Sequence, residues 1–70
     1  MNNKFDEILE IVCDMYEAAW WEVVDGPLCE DVLIPMIANQ FGNDVVEMND
    51  DGDYLNAEFG EWFGDLMMEL

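Results

Sequence analysis

The chain contains no histidine, serine, threonine or arginine, and a single lysine, Lys4. These absences remove most chemistry before any residue is placed. A serine or cysteine nucleophile needs a general base beside it, and histidine, the usual one, is missing. No glycine-rich loop runs into Lys and Ser/Thr to cradle phosphates. Two cysteines sixteen positions apart, Cys13 and Cys29, do not make a zinc site. Acid/base work by paired carboxylates is the one enzymatic route left, and a chain this short leaves little room for a substrate cleft. The sequence therefore reads as a non-enzyme without a cofactor.

Long apolar runs are also lacking. No stretch approaches the ~20 apolar residues of a membrane span, and the N-terminal residues have no uninterrupted apolar core of the signal-peptide kind. The expected setting is a reducing cytoplasm, with both thiols buried as small hydrophobes rather than joined in a disulfide.

What is present in excess is negative charge. Eighteen acidic residues face one lysine, for a net charge of −17 over 70 residues. So high a charge combined with low hydrophobicity would mean disorder, because the chain could not offset its ordering entropy. Here 53% of residues are apolar, including three Trp, four Phe and two Tyr. The chain should fold as a single acidic domain over residues 1–70, near the lower size limit for one core, and it should fold against its own repulsion. Crowded like charges weaken the ionised fold, so the melting temperature should rise with added salt and as pH falls from 7 toward about 5. A melting temperature flat across both variables would mean that the charges are dispersed.

Periodicity places three helical segments. From about Asn3 to Val24, Phe5, Ile8, Leu9, Val12, Tyr16, Ala19 and Val23 recur at three and four. Gly26-Pro27 closes that segment and opens the next, to about Phe41, with a break expected at Pro35 and a C-terminal cap at Gly42. The last segment, about Leu55 to Leu70, sets Leu55, Phe59, Trp62, Phe63, Leu66, Met67 and Leu70 on one side. Gly60 and Gly64 weaken it in isolation or mark a close helix contact. Between them, Val45-Val46 and Tyr54-Leu55 flank a turn-rich NDDG, which fits either a short hairpin within residues 44–57 or a loop. The fold expected is mainly α, a compact three-helix domain with that hairpin as its open element.

At about 100° per residue, Asp6, Glu7, Glu10, Asp14, Glu17 and Asp25 fall within a sector roughly 100° wide, opposite the apolar face. Glu58, Glu61, Asp65 and Glu69 share a sector of about 80° on the last helix. Neither ladder has Lys or Arg one turn away, where an ordinary surface helix gains a few tenths of a kcal/mol per pair. A strongly positive partner would explain the arrangement. Glu7 to Glu17 spans about 15 Å of axis, one charge per about 5 Å against one per 3.4 Å along a single DNA strand. The two ladders with Asp50, Asp51 and Asp53 approach duplex density if they are concentrated on about half the surface.

In size, charge and ladder geometry the chain resembles the phage-encoded DNA-mimic proteins, which include anti-CRISPR proteins, anti-restriction proteins and inhibitors of uracil-DNA glycosylase. The small anti-CRISPR proteins are the nearest group, given the short, Trp-rich, Lys/Arg-poor chain. The resemblance implies an inhibitor in the cytoplasm of an infected host cell. It would occupy the PAM-reading or duplex-binding surface of a CRISPR effector, where Lys and Arg are displayed, and would not bind nucleic acid itself. The residues assigned to the partner are Glu7, Glu10, Asp14, Glu17, Trp21, Asp50, Asp51, Asp53, Glu58, Glu61, Asp65 and Glu69.

Trp21 falls on the acidic sector of the first helix, in line with Glu7, Glu10, Asp14 and Glu17. There it would anchor an interface by stacking on a partner arginine; otherwise it covers a neighbouring element or a homodimer seam. The 47–58 loop has a second interpretation. With Gly52 at the sixth position of a calcium loop, Asn49, Asp51, Asp53 and Glu58 fall at the third, fifth, seventh and twelfth, but Glu47 stands where Asp is expected. The alternatives are thus a small calcium-binding module, an acidic adaptor that binds a basic protein without displacing nucleic acid, or a solvated acidic face of the halophilic kind.

Overall fold

The structure, a computed structural model, describes residues 4–70, so the expected helix start at Asn3 lies outside the described residues. Four helices follow in order: α1 (Lys4–Tyr16), α2 (Trp20–Asp25), α3 (Ile34–Phe41) and α4 (Ala57–Met68). The chain is mainly helical, as expected, with one division more than three helices.

That division falls inside the segment read as one helix to Val24. Glu17 turns into the left-handed region at φ 49°. The Ala18 amide then reaches back to the Cys13 carbonyl at 3.0 Å, and the Glu17 amide to that of Asp14 at 3.4 Å. This is a Schellman closure, in which left-handed backbone normally belongs to glycine. Extended Ala19 follows, and its carbonyl accepts from Glu22 and Val23 to start α2. A side chain held at positive φ costs about 1–2 kcal/mol. Glu17→Gly should therefore raise stability by about 1 kcal/mol, read as a melting-temperature increase of about 4–8 °C. An unchanged melt would contradict this account of the break.

Gly26 separates α2 from a helix that resumes at Pro27. The break expected at Pro35 does not occur. Pro35 has no N–H for the carbonyl one turn back and its ring presses on that carbonyl. The chain responds by widening the preceding turn, Cys29–Leu33, into a π-helical segment in which the Ile34 amide bonds the Cys29 carbonyl. The helix therefore runs on into α3. Gly42 ends it at φ 109°, its amide on the Ala38 carbonyl at 2.8 Å, as the sequence suggested.

After a 3₁₀ turn at Asn43–Val45 comes the segment that fits either a hairpin or a loop by sequence. It is neither a full hairpin nor a free loop. One antiparallel bridge joins Met48 to Tyr54, and among the described residues no strand extends it. Asn49 Oδ1 accepts the amides of Asp51 and Asp53, both at 3.0 Å, and Gly52 supplies a φ of 86°. Asn56 then caps α4, its side-chain oxygen accepting from the Phe59 amide at 2.9 Å. Of the two α4 glycines, a Cβ on Gly60 would touch the Tyr54 side chain, whereas Gly64 faces open space. Tyr54 belongs to the bridge before α4 and not to a helix, so neither glycine marks a close helix contact.

The core joins Phe5, Ile8, Leu9 and Val12 of α1 to Val23 and Val24 of α2, with Leu33, Ile37, Val45, Phe59 and Trp62. Phe5 sits at its centre, edge-on to Phe41 and Phe59 and tilted against Trp62 at 5.4 Å. Among the described residues no polar or charged side chain is fully buried, and no helix is long and apolar enough to cross a membrane. Cys13 and Cys29 are free and half-buried rather than fully buried.

Candidate functional site

The register between α1 and α4 organises the surface. Lys4 Nζ lies 3.1 Å from Glu58 Oε2, Phe5 packs on Phe59, and Trp62 Nε1 donates to Asp6 Oδ1 at 2.7 Å. Farther along, Leu9, Glu10, Cys13 and Asp14 share one groove of about 610 Å³ with Leu66 and Glu69. These contacts advance in the same direction along both helices, so α1 and α4 run in the same sense, joined through side chains rather than by close backbone approach. Asp6, Glu10 and Asp14 step at about 6 Å along one bank of that groove, and Glu69 borders it on the other. Asp65 lines an adjoining pocket with Asp6, Trp62, Leu66 and Glu69. Leu9, Leu66, Trp20 and Ala18 help to line the groove between the banks. A lysine or arginine stem can lie along such a floor while its charged head meets the acids.

All twelve residues assigned to a partner are exposed. The structure brings Glu10, Asp14 and Glu69 together on the groove and sets Asp65 in the adjoining pocket. Glu58 and Glu61 continue the α4 row, and Glu58 is the residue that holds Lys4. Glu7 lies at the outer edge of the α1 sector. Asp50, Asp51 and Asp53 sit on the 49–53 turn and do not line the groove. Two placements need correction. Glu17 occupies the left-handed turn rather than the helical ladder, and the break after it takes Trp21 and Asp25 off the α1 wheel. Trp21 is 52% exposed, but its neighbours are those of a separate cleft with Trp20, Asp25, Glu69 and Leu70.

The sequence reading missed Asp6 as a groove residue with a structural partner. Its spacing of four from Glu10 marked its face, but the bond to Trp62 spans 56 positions and has no local signal. The calcium reading gains no support from the geometry. Asn49 spends its side-chain oxygen on the turn's own amides, Glu58 is drawn to Lys4, and among the described residues no three carboxylates or thiols gather as a ligand set.

Electrostatics register in the Cys13 thiol on the groove wall. Burial pushes its pKa above the ordinary 9.0, and the Asp14 and Glu10 carboxylates push in the same direction. A thiol that resists ionisation is a weak nucleophile, and the same carboxylates repel an anionic reagent. With Cys29→Ala isolating it, Cys13 should react about tenfold more slowly than free cysteine with a dianionic aromatic disulfide at low salt. Salt near 1 M, where screening shortens to about 3 Å, should remove much of that difference. A rate indifferent to salt would show that the groove carries no concentrated field. In a second cleft, lined by Cys29, Tyr54, Phe63 and Met67 among others, burial raises Cys29 and Tyr54, with Glu30 adding to both.

No protein-family model matches the chain, and no curated protein or solved structure matches it either. Function must therefore be argued from this surface. The folded chain exposes 4803 Å², so its 17 net charges have about 280 Å² each if spread evenly. Duplex DNA carries one phosphate per roughly 105 Å². The acids gathered on the groove and its adjoining pocket close part of that gap locally.

Proposed function

We propose that the chain is an acidic DNA-mimic inhibitor. It binds the basic nucleic-acid-binding surface of a host defence enzyme, a CRISPR effector foremost, and competes there with DNA. The observation that carries this reading is the gathering of Asp6, Glu10 and Asp14 of α1 with Glu69 on one groove and Asp65 on the pocket beside it, with no basic side chain lining either. The chain's only basic side chain, Lys4, is engaged at the far end with Glu58. Rows of fixed charge of this kind repel one another, and a cationic partner surface would neutralise them. A partner that displays Lys and Arg for phosphate would do so, at a rate raised by electrostatic steering. With the sign of its own charge matching DNA, the chain does not bind nucleic acid directly.

The test uses a purified CRISPR effector loaded with its guide and a labelled, PAM-containing duplex. Added protein should release the duplex, and excess duplex should restore binding, as competition for one surface requires. Binding to the effector without any effect on duplex occupancy would leave an adaptor and overturn the mimic.

A further inference from the structure

Two tryptophans adjacent in sequence, Trp20 and Trp21, line one cleft of about 340 Å³ with Asp25, Glu69 and Leu70. Trp21 leaves about half its surface exposed, as does Tyr16, whereas the other rings are buried or half-buried, Trp20 beside it among them. Burial alone would favour covering an indole this large, and an open indole flanked by carboxylates offers a π face and anionic oxygens to one ligand. Aromatic faces attract cations, tryptophan most strongly, and a planar guanidinium can stack while its edge N–H groups pair with a carboxylate. The chain already uses this chemistry internally. Lys4 Nζ lies 5.2 Å from the centre of the Phe5 ring and 5.4 Å from that of Phe41, with Glu58 at 3.1 Å. That lysine is the only basic side chain in the sequence, so the chain has none to place in the second aromatic–carboxylate cleft.

We propose that the cleft between Trp21 and Glu69 is an arginine-binding subsite, which stacks a partner's guanidinium on the Trp21 indole and pairs it with Asp25 and Glu69. The mimic reading supplies the partner's basic chemistry; the subsite adds a preference for guanidinium over ammonium that carboxylate ladders alone do not predict. The cleft shares Glu69 with the α1–α4 groove. An arginine seated there would hold the end of a basic segment whose other charges lie along the rows. A second copy of this chain is a poor occupant, because each copy brings −17.

Octa-arginine and octa-lysine, equal in charge, separate the subsite from the ladders. The wild-type protein should bind octa-arginine about fivefold more tightly. Trp21→Leu, which keeps apolar bulk and removes the π face, should lose most of that ratio, weakening octa-arginine much more than octa-lysine. By NMR, the indole N–H signals of Trp20 and Trp21 should move further with octa-arginine than with octa-lysine, whereas that of Trp62, donated to Asp6 on the row that both peptides follow, should respond alike to both. Equal binding of the two peptides, or an arginine preference that survives Trp21→Leu, would overturn the subsite and leave the mimic reading intact. Failure of both peptides to bind would overturn the subsite together with the acidic surface on which it rests.

Discussion

Replacing Glu10 and Asp14 together by lysine should weaken partner binding about 100-fold, while Glu10→Lys alone raises the melting temperature of the free protein. The two effects have the same origin and opposite signs. Glu10 stands one turn from Asp6 and one turn from Asp14 on the groove bank. Like charges at that spacing cost about 0.2–0.5 kcal/mol per pair, and opposite charges gain as much. A lysine at position 10 converts two repulsions into two attractions. Toward a basic partner it converts attraction into repulsion. At about 1.4 kcal/mol for each exposed site, the double reversal amounts to two factors of ten. Glu10→Lys alone, binding about tenfold less and melting higher, cannot be explained as misfolded. Binding equal to that of the parent would remove the α1 ladder from the interface.

Phe5→Ala should leave little folded protein at neutral pH and low salt. Phe5 has no exposed surface and places its ring against Phe41, Phe59 and Trp62 at centroid distances of 5.2–5.4 Å. It is the residue through which α1, α3 and α4 meet. Truncating a buried phenylalanine costs about 3–5 kcal/mol. A domain of this length has only about 3–10 kcal/mol in total, and here self-repulsion draws on that reserve. The loss should be partly reversed by salt near 1 M, which screens the repulsion without refilling the cavity. Met68→Ala, at a side chain 85% exposed, should leave the melt unchanged. Thermal unfolding followed by near-UV circular dichroism distinguishes these outcomes. A Phe5→Ala protein as stable as the parent would mean that the aromatic cluster is not the centre of the fold.

Local rules carried the helical reading a long way. The apolar spacing at Phe5, Ile8, Leu9 and Val12 and at Phe59, Trp62, Phe63 and Leu66, the Gly26-Pro27 junction and the Gly42 cap all depend on residues within one or two turns of each other. The structure keeps them, but leaves Tyr16, Leu55, Met67 and Leu70 of the expected apolar faces exposed. It departs from expectation where a residue stands in for the usual signal. Glu17 takes a left-handed turn that would ordinarily announce itself with glycine or asparagine, so the helix continued on paper past the point where it ends. That single break moved Trp21 and Asp25 from the α1 ladder to another cleft. Pro35 presents the reverse case, a breaking signal absorbed by one widened turn at Cys29–Leu33. The surface was half legible. Each ladder could be read from its own helix, but their parallel alignment depends on Lys4–Glu58, Phe5–Phe59 and Asp6–Trp62, pairs more than fifty positions apart. Periodicity within one helix says nothing about such pairs.

The most direct test of the acidic surface is to immobilise the protein and pass host lysate over it at about 0.1 M salt, where charges still act over about 10 Å. The column is then eluted with duplex DNA before the salt is raised. The account predicts that one nucleic-acid enzyme leaves with the DNA, so that target and competed surface are found together. Bound proteins that ignore the duplex and leave only with salt, or a column that retains nothing, would contradict it.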